Sequence, residues 1–181
     1  HVALENKAKS KEELMELSID GVTIKARLLD EMAKIGEKIE LGAYGTVEGT
    51  NVVSYIHGGN KLGVLVNLNN SGNDANREAG KDVAMQIAAM NPLAVDANSI
   101  PADVIERERA IIIDTMKEDP KMAGKPDEMV AKIAEGKLNA FFKENTLLAQ
   151  AFVKDGGITV EAYLKSAGDV VVTEFKRVAL G

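Results

Sequence analysis

The sequence predicts an α+β fold in which a small antiparallel sheet packs against helices, and two further helices form an antiparallel hairpin. In several segments apolar residues recur every three or four positions, which is typical of amphipathic helices. Between residues 38 and 69 the spacing shortens to every second position, which is typical of strands. Two later helical segments are separated only by a short loop with proline and glycine, which predicts the helical hairpin.

The composition fits one sizeable core and argues against several classes of function. Of 181 residues, 45% are apolar and the formal charge is -6. This charge provides no basic field to gather phosphates, so direct binding of nucleic acid is not expected. Apolar runs such as "AIII" at 110–113 are far too short to cross a membrane. The absence of cysteine fits a reducing compartment, so a cytoplasmic location is expected.

The first 36 residues predict two helices. The turn dipeptide Asp20-Gly21 separates them. Gly36 follows the second helix as its expected C-cap. Its apolar stripe consists of Ile24, Leu28, Met32 and Ile35. The chain begins with His1 and not with methionine, so we expect a truncated or processed piece and leave His1 out of the functional reasoning.

Three antiparallel strands are expected next, in the segments 38–49, 51–58 and 61–69. Their expected connections are "GTN" at 49–51 and "GGN" at 58–60, because glycine supplies the positive φ that tight hairpins require. A helix is then predicted from residue 74 to Asn91-Pro92, which ends it.

The helical hairpin is predicted at about residues 102–144. Its outward charges, such as "ERER" at 106–109, indicate a solvated face that a partner can also contact. The apolar stripes of the two helices are expected to face each other. They include Ile105, Ile112, Met116, Ile133 and Phe141.

After the hairpin, residues 147–153 indicate a short packed segment, and Thr159 is expected to cap a helix over "VEAYLKSA". The last strand is predicted to rejoin the sheet. It contains Val170, Val172, Phe175 and Val178.

The stretch "SYIHGGNKLGVLV", residues 54–66, raises the question whether His57 and the two glycines after it carry chemistry. A P-loop would need Gly-x4-Gly-Lys-Ser/Thr, but here Lys61 is followed by Leu62, so the glycines indicate a hairpin turn. No second titratable group is expected beside His57 to orient it as a base, and no second histidine suggests a zinc site. Acidic pairs such as Glu106 and Glu108 fit a solvated helix surface. The residues therefore predict no catalytic site, metal or cofactor, and a module that binds and does not catalyse.

Several stretches, taken together and in order, resemble the bacterial elongation factor Ts family. They are "AKIGEKIEL", "SYIHGGNKLGVLV", "GKDVAMQIAAMNP", "PADVIERE", "KIAEGKLNAFFKENTLLAQAFVKD" and "FKRVALG". Each one is a weak signal, but the ordered set is specific and covers most of the chain from about Val22 onward.

The resemblance implies a guanine-nucleotide exchange factor that binds elongation factor Tu and promotes GDP release in translation. It implies two related core subdomains, with residues 1–36 as a helical remnant of the first and 37–181 as the second. The helical hairpin at about 102–144 would project as an antiparallel coiled coil. Three family contact positions match Ile35, Gly36 and His57, which would face the partner's nucleotide-binding domain.

The sequence departs from the family pattern in one respect. It contains neither the family's N-terminal helical domain nor the Thr-Asp-Phe-Val motif, so we expect a fragment with reduced exchange activity. The alternative is a dimerisation or scaffold module without exchange activity, in which this core pairs with itself or with another chain.

Overall fold

The computed structural model describes residues 1–69, 74–122 and 124–180. The fold is α+β, as predicted. The N-terminal part contains two helices, a two-stranded hairpin and a longer helix. In order they are α1 (Val2–Glu5), α2 (Lys11–Glu16), β1 (Ser18–Ile19), β2 (Val22–Thr23) and α3 (Ile24–Ile35). No helix in the described ranges is both long and apolar enough to cross a membrane.

The predicted break at Asp20-Gly21 is the turn of the β1–β2 hairpin. Both residues have a positive φ, of 52° and 80°. Thr23 caps α3 by accepting a hydrogen bond from the N–H of Ala26. The helix ends at Gly36, whose φ of 73° is left-handed and whose N–H bonds to the Met32 carbonyl at 2.9 Å. The C-cap predicted for α3 is therefore confirmed.

A three-stranded antiparallel sheet forms the centre of the molecule. Its strands are β3 (Val52–His57), β4 (Leu62–Leu68) and β7 (Val172–Ala179), with β4 in the middle. The prediction that the last strand rejoins the sheet is confirmed.

The prediction of a strand over residues 38–49 is wrong, because this segment is an irregular stretch that joins no sheet. Its glycines weaken strand formation, and part of the segment contacts sheet side chains instead of pairing with an edge. A Cβ at Gly45 would contact the Lys176 side chain at 3.7 Å, and one at Gly49 would overlap the Asn67 amide.

Helix α4 (Asp74–Met90) covers the inner face of the sheet. The main core lies between them, with Val64, Val66, Leu68, Val83, Ala84 and Ile87 among its fully buried residues. Gly80 allows a close approach, since a Cβ there would lie 2.7 Å from a Val53 methyl carbon and 2.9 Å from a Leu68 methyl carbon. Burial of this apolar surface drives the pairing of helix and sheet.

Helices α5 (Ala102–Glu118) and α6 (Asp127–Asn145) form the predicted hairpin. They enclose a second apolar cluster around Ile112, Met116 and Leu138. Ile105, Ile133 and Phe141 pack against it, so the predicted facing stripes are confirmed.

Backbone hydrogen bonds fasten the base of this hairpin to the body. The N–H of Leu93 bonds to the Asn145 carbonyl at 2.8 Å, and the N–H of Leu147 bonds to the Ala94 carbonyl at 2.9 Å.

The chain then forms a small hairpin that the sequence interpretation did not resolve, β5 (Ala151–Phe152) with β6 (Asp155–Thr159), followed by α7 (Val160–Ser166). Thr159 caps α7 by accepting from the Ala162 N–H, as predicted. Phe152 stacks on Tyr163 with ring centroids 4.2 Å apart, which joins this hairpin to α7.

Candidate partner-binding site

Ile35 and Gly36 lie together at the C-terminal end of α3. Three residues of the helix's apolar stripe, Ile24, Leu28 and Met32, are half-buried, whereas Ile35 is 52% exposed. Neither apolar cluster of the core includes Ile35. Packing in the core therefore does not explain why an isoleucine stands at position 35. The left-handed cap at Gly36 ends the helix directly after Ile35, whose side chain is exposed to solvent there.

His57 is the last residue of β3 and lies opposite Leu62 across the β3–β4 hairpin. Gly58, Gly59 and Asn60 follow it with φ values of 62°, 64° and 69°. These left-handed conformations make a tight reversal, so the prediction of a hairpin turn is confirmed. The imidazole is exposed at this tip.

One expectation about His57 is wrong, because a titratable group does orient it. The Tyr55 hydroxyl lies 2.8 Å from His57 Nδ1. The ring centroids are 5.8 Å apart and the ring planes are inclined by 33°. Successive side chains of a strand alternate between its faces, so residues two apart share a face. The spacing of Tyr55 and His57 in the sequence could therefore have indicated this contact.

The opposite face of the same hairpin presents apolar surface that the sequence interpretation did not single out. Ile56 is 65% exposed, and it aligns with Gly63 on β4 and the part-exposed Val178 on β7. Exposed apolar side chains beside a polar one are common where proteins bind each other. Side chains of a strand alternate between its faces, so the placing of Val53 and Tyr55 on the core side could have indicated Ile56 on the other face.

The structure brings Ile35 and Gly36 together but places His57 on a separate element. Helix α3 packs mainly on α2 and the β1–β2 hairpin, while His57 belongs to the three-stranded sheet. The three predicted residues therefore form two exposed positions.

The buried carboxylate of Asp82 is paired with other side chains of the fold. Asp82 on α4 accepts from Lys154 Nζ at 2.5 Å and from the Tyr163 hydroxyl at 2.8 Å. Burial, followed by the hydrogen bond to Asp82, raises the pKa of Tyr163 above its ordinary value. These contacts tie α4 to the β5–β6 turn and to α7. In the parts of the chain that the structure describes, no three His, Asp or Glu side chains gather as a metal site would require.

The fold and these positions define an α+β protein that presents exposed apolar side chains and an oriented histidine at its surface. A family model described as Elongation factor TS matches residues 1–181. The chain therefore belongs to the Elongation factor TS family, and the resemblance inferred from its motifs is confirmed.

Curated relatives agree with this assignment. The chain is 48% identical to Elongation factor Ts of Amoebophilus asiaticus over 181 residues, which cover 99% of the chain and 64% of that relative. It is 45% identical to Elongation factor Ts of Christiangramia forsetii over 173 residues, which cover 95% of the chain and 61% of the relative. For Elongation factor Ts of a Hydrogenobaculum species, the identity is 48% over 139 residues, or 77% of the chain and 48% of the relative. The chain thus spans about half to two thirds of the length of these relatives.

Proposed function

We propose that this chain binds elongation factor Tu and promotes the release of GDP from it during translation elongation. The observation that carries the proposal is the match of the Elongation factor TS family over all 181 residues. The names of the relatives, which match most of the chain at 45 to 48% identity, support it.

Such a function requires binding energy and no covalent step. A GTPase holds GDP by backbone amides around the phosphates and by a magnesium ion that neutralises their charge. A factor that distorts this geometry lowers the barrier to GDP release, and a thousandfold acceleration corresponds to about 4 kcal/mol. Coupling is reciprocal, so a factor that weakens GDP binding is itself bound more weakly once nucleotide returns. The chain would act as an exchange factor and would not catalyse a chemical reaction.

We assign partner contacts to Ile35, Gly36 and His57. Ile35 offers an exposed apolar side chain, and an apolar contact of this kind gains free energy when a partner removes it from water. Gly36 gives the chain its reversal at that point without a side chain that would keep a partner away. His57 offers a polar contact at the end of β3, directly before the left-handed turn of residues 58–60. The negative charge of the chain supports a protein partner over a nucleic acid.

We further propose that residues 1–36 belong to one core subdomain and residues 37–181 to a second one with the helical hairpin. The packing of α3 on α2 and on the β1–β2 hairpin supports a local unit that ends at Gly36. The hydrogen bond from the Tyr44 hydroxyl to the Ala8 carbonyl, at 2.8 Å, would then be a contact between the two subdomains.

The test is release of a fluorescent GDP analogue from elongation factor Tu, followed in stopped flow with increasing amounts of the chain. We expect acceleration over spontaneous release, and a loss of affinity in Ile35→Ala and His57→Ala. Leu29→Ala is the matched control, because Leu29 lies on the same helix and is 56% exposed. Its affinity should stay at the wild-type value.

Sedimentation of the same mixtures separates the proposal from a scaffold role. A complex of the chain with elongation factor Tu supports the proposal. A homodimer that neither binds elongation factor Tu nor changes the release rate would contradict it.

A further inference from the structure

We propose that Tyr55 is a positioning residue for His57, whose hydroxyl holds the imidazole in the Nε2–H form so that the hairpin tip presents one N–H donor. This inference rests on the proposed role of His57 in binding the partner, and it adds the chemistry of the contact. The complementary group on the partner would be a hydrogen-bond acceptor, such as a carbonyl or a carboxylate.

The backbone dictates that these two side chains meet. Tyr55 and His57 are two residues apart on β3 and project from the same face of the sheet. Tyr55 is half-buried and packs against the main core cluster, whereas His57 is exposed. The core therefore fixes the phenol ring, and its hydroxyl is a fixed point beside a side chain that would otherwise turn freely.

The hydrogen bond selects one form of the imidazole. A neutral histidine has one nitrogen that donates and one that accepts, and the bond at one nitrogen determines the role of the other. The Tyr55 hydroxyl lies 2.8 Å from Nδ1. A phenol is a stronger acid than a neutral imidazole N–H, and an imidazole nitrogen is a stronger base than a phenol oxygen, so in the proposed arrangement the hydroxyl donates to Nδ1 and the ring proton is on Nε2. Nε2 lies on the far side of the ring from Tyr55 and is the atom available to a partner.

Orientation before binding improves affinity, because less side-chain freedom is lost when the complex forms. Tyr55→Phe removes the hydroxyl and keeps the ring in the core. Because the Tyr55–His57 bond forms in both the free and the bound chain, the effect on affinity comes from the freedom that the imidazole regains, and this variant should bind elongation factor Tu about twofold to tenfold more weakly. Its free energy of unfolding should change little, because the lost bond lies at the exposed tip.

The first measurement is the 15N NMR spectrum of the imidazole at alkaline pH, where histidine is neutral. The only other histidine is His1, so a His57→Ala sample assigns the signals. We expect the 15N signal of His57 Nδ1 to be that of an unprotonated nitrogen in the wild-type chain. In Tyr55→Phe the signal should shift to a value that indicates a mixture of the Nδ1–H and Nε2–H forms. Tyr44→Phe is the matched control, since its hydroxyl bonds to the Ala8 carbonyl, and it should leave the His57 signals unchanged.

The second measurement is a double-mutant cycle for binding to elongation factor Tu. If Tyr55 acts through His57, Tyr55→Phe weakens binding in the wild-type chain and has no effect in the His57→Ala chain. An equal effect in both backgrounds would overturn the positioning role. A proton found on Nδ1 in the wild-type chain would overturn the assigned form of the ring.

The two proposals can fail separately. If His57→Ala binds elongation factor Tu as tightly as the wild-type chain, the role of His57 in partner binding is wrong, and with it the proposed contact. The NMR spectrum of Tyr55→Phe still decides whether the hydroxyl orients the ring.

Discussion

Gln86 on α4 donates its Nε2 to the side-chain oxygen of Gln150 at 3.1 Å, inside the core. Both residues are buried, and Gln86 is completely so. The same Nε2 reaches the Ala151 carbonyl at 3.1 Å, and the Oε1 of Gln86 accepts from the Val153 N–H at 2.8 Å. Gln150 in turn donates to the Glu144 carbonyl near the end of α6 at 2.8 Å. Two amides therefore fasten the base of the helical hairpin and the β5–β6 hairpin to α4.

Replacing Gln86 by leucine should destabilise the chain strongly. The change leaves the buried Gln150 side-chain oxygen and the part-buried Val153 N–H without these bonds, and an unsatisfied buried group costs about 1–3 kcal/mol. We expect a loss of about 3 kcal/mol in the free energy of unfolding, measured by urea denaturation. Lys81→Leu, an exposed site on the same helix, is the control and should change stability by no more than about 0.5 kcal/mol. A Gln86→Leu chain as stable as the wild type would show that water or other groups satisfy these atoms.

Features set by local residue types could be predicted from the sequence. The caps at Thr159 and Gly36, the turn at residues 58–60 and the apolar stripes of the helical hairpin each depend on residues within a few positions. Glycine at a left-handed position and threonine at a helix start have physical reasons that hold in almost any fold.

Features that depend on competition between distant segments could not be predicted in the same way. The segment 38–49 has a strand-like pattern, but it lies against side chains of β4 and β7, at Asn67 and Lys176, and pairs with no strand edge. The exposure of Ile35 could not be predicted either. Its spacing places it in the apolar stripe of α3, but the spacing does not show that the surface covering the stripe stops short of Ile35. The contact of His57 with Tyr55 could have been predicted, because residues two apart in a strand lie on the same face.

Gly80 and Gly136 offer a comparison of one substitution in two environments. Alanine at an exposed helical position normally stabilises by about 0.5–1 kcal/mol over glycine. At Gly80 the new methyl group would lie 2.7 and 2.9 Å from carbons of Val53 and Leu68, and overpacking costs about 1–3 kcal/mol. The overpacking is the larger effect, so Gly80→Ala should destabilise by about 1–2 kcal/mol in urea denaturation.

Gly136, in the exposed part of α6, has nothing within 4 Å of the position of a Cβ. Gly136→Ala should therefore stabilise the chain by about 0.5–1 kcal/mol. If alanine stabilised at both sites, α4 would have to lie farther from the sheet than the structure shows.

The helical hairpin can be tested with two neighbouring isoleucines. Ile112 is buried between α5 and α6, whereas Ile111 beside it is 52% exposed. Ile112→Asp places a charge among apolar side chains without a partner, and we expect a loss of about 3 kcal/mol or more, with loss of helical circular dichroism on heating. Ile111→Asp introduces the same residue into the same helix and should cost much less. Equal effects at the two positions would contradict the pairing of the helices through Ile112.

The raised pKa of Tyr163 predicts a dependence of stability on alkaline pH. Burial and the hydrogen bond to Asp82 keep the phenol protonated in the folded chain, while in the unfolded chain it ionises near its ordinary pKa of about 10. Above that pH the unfolded state binds fewer protons than the folded state, so the free energy of unfolding falls as pH rises, and below it the contribution is fully present. Tyr163→Phe removes this ionisation and should flatten the decline above about pH 10, measured by urea denaturation at each pH. A Tyr163→Phe chain with an unchanged slope would assign the decline to other groups.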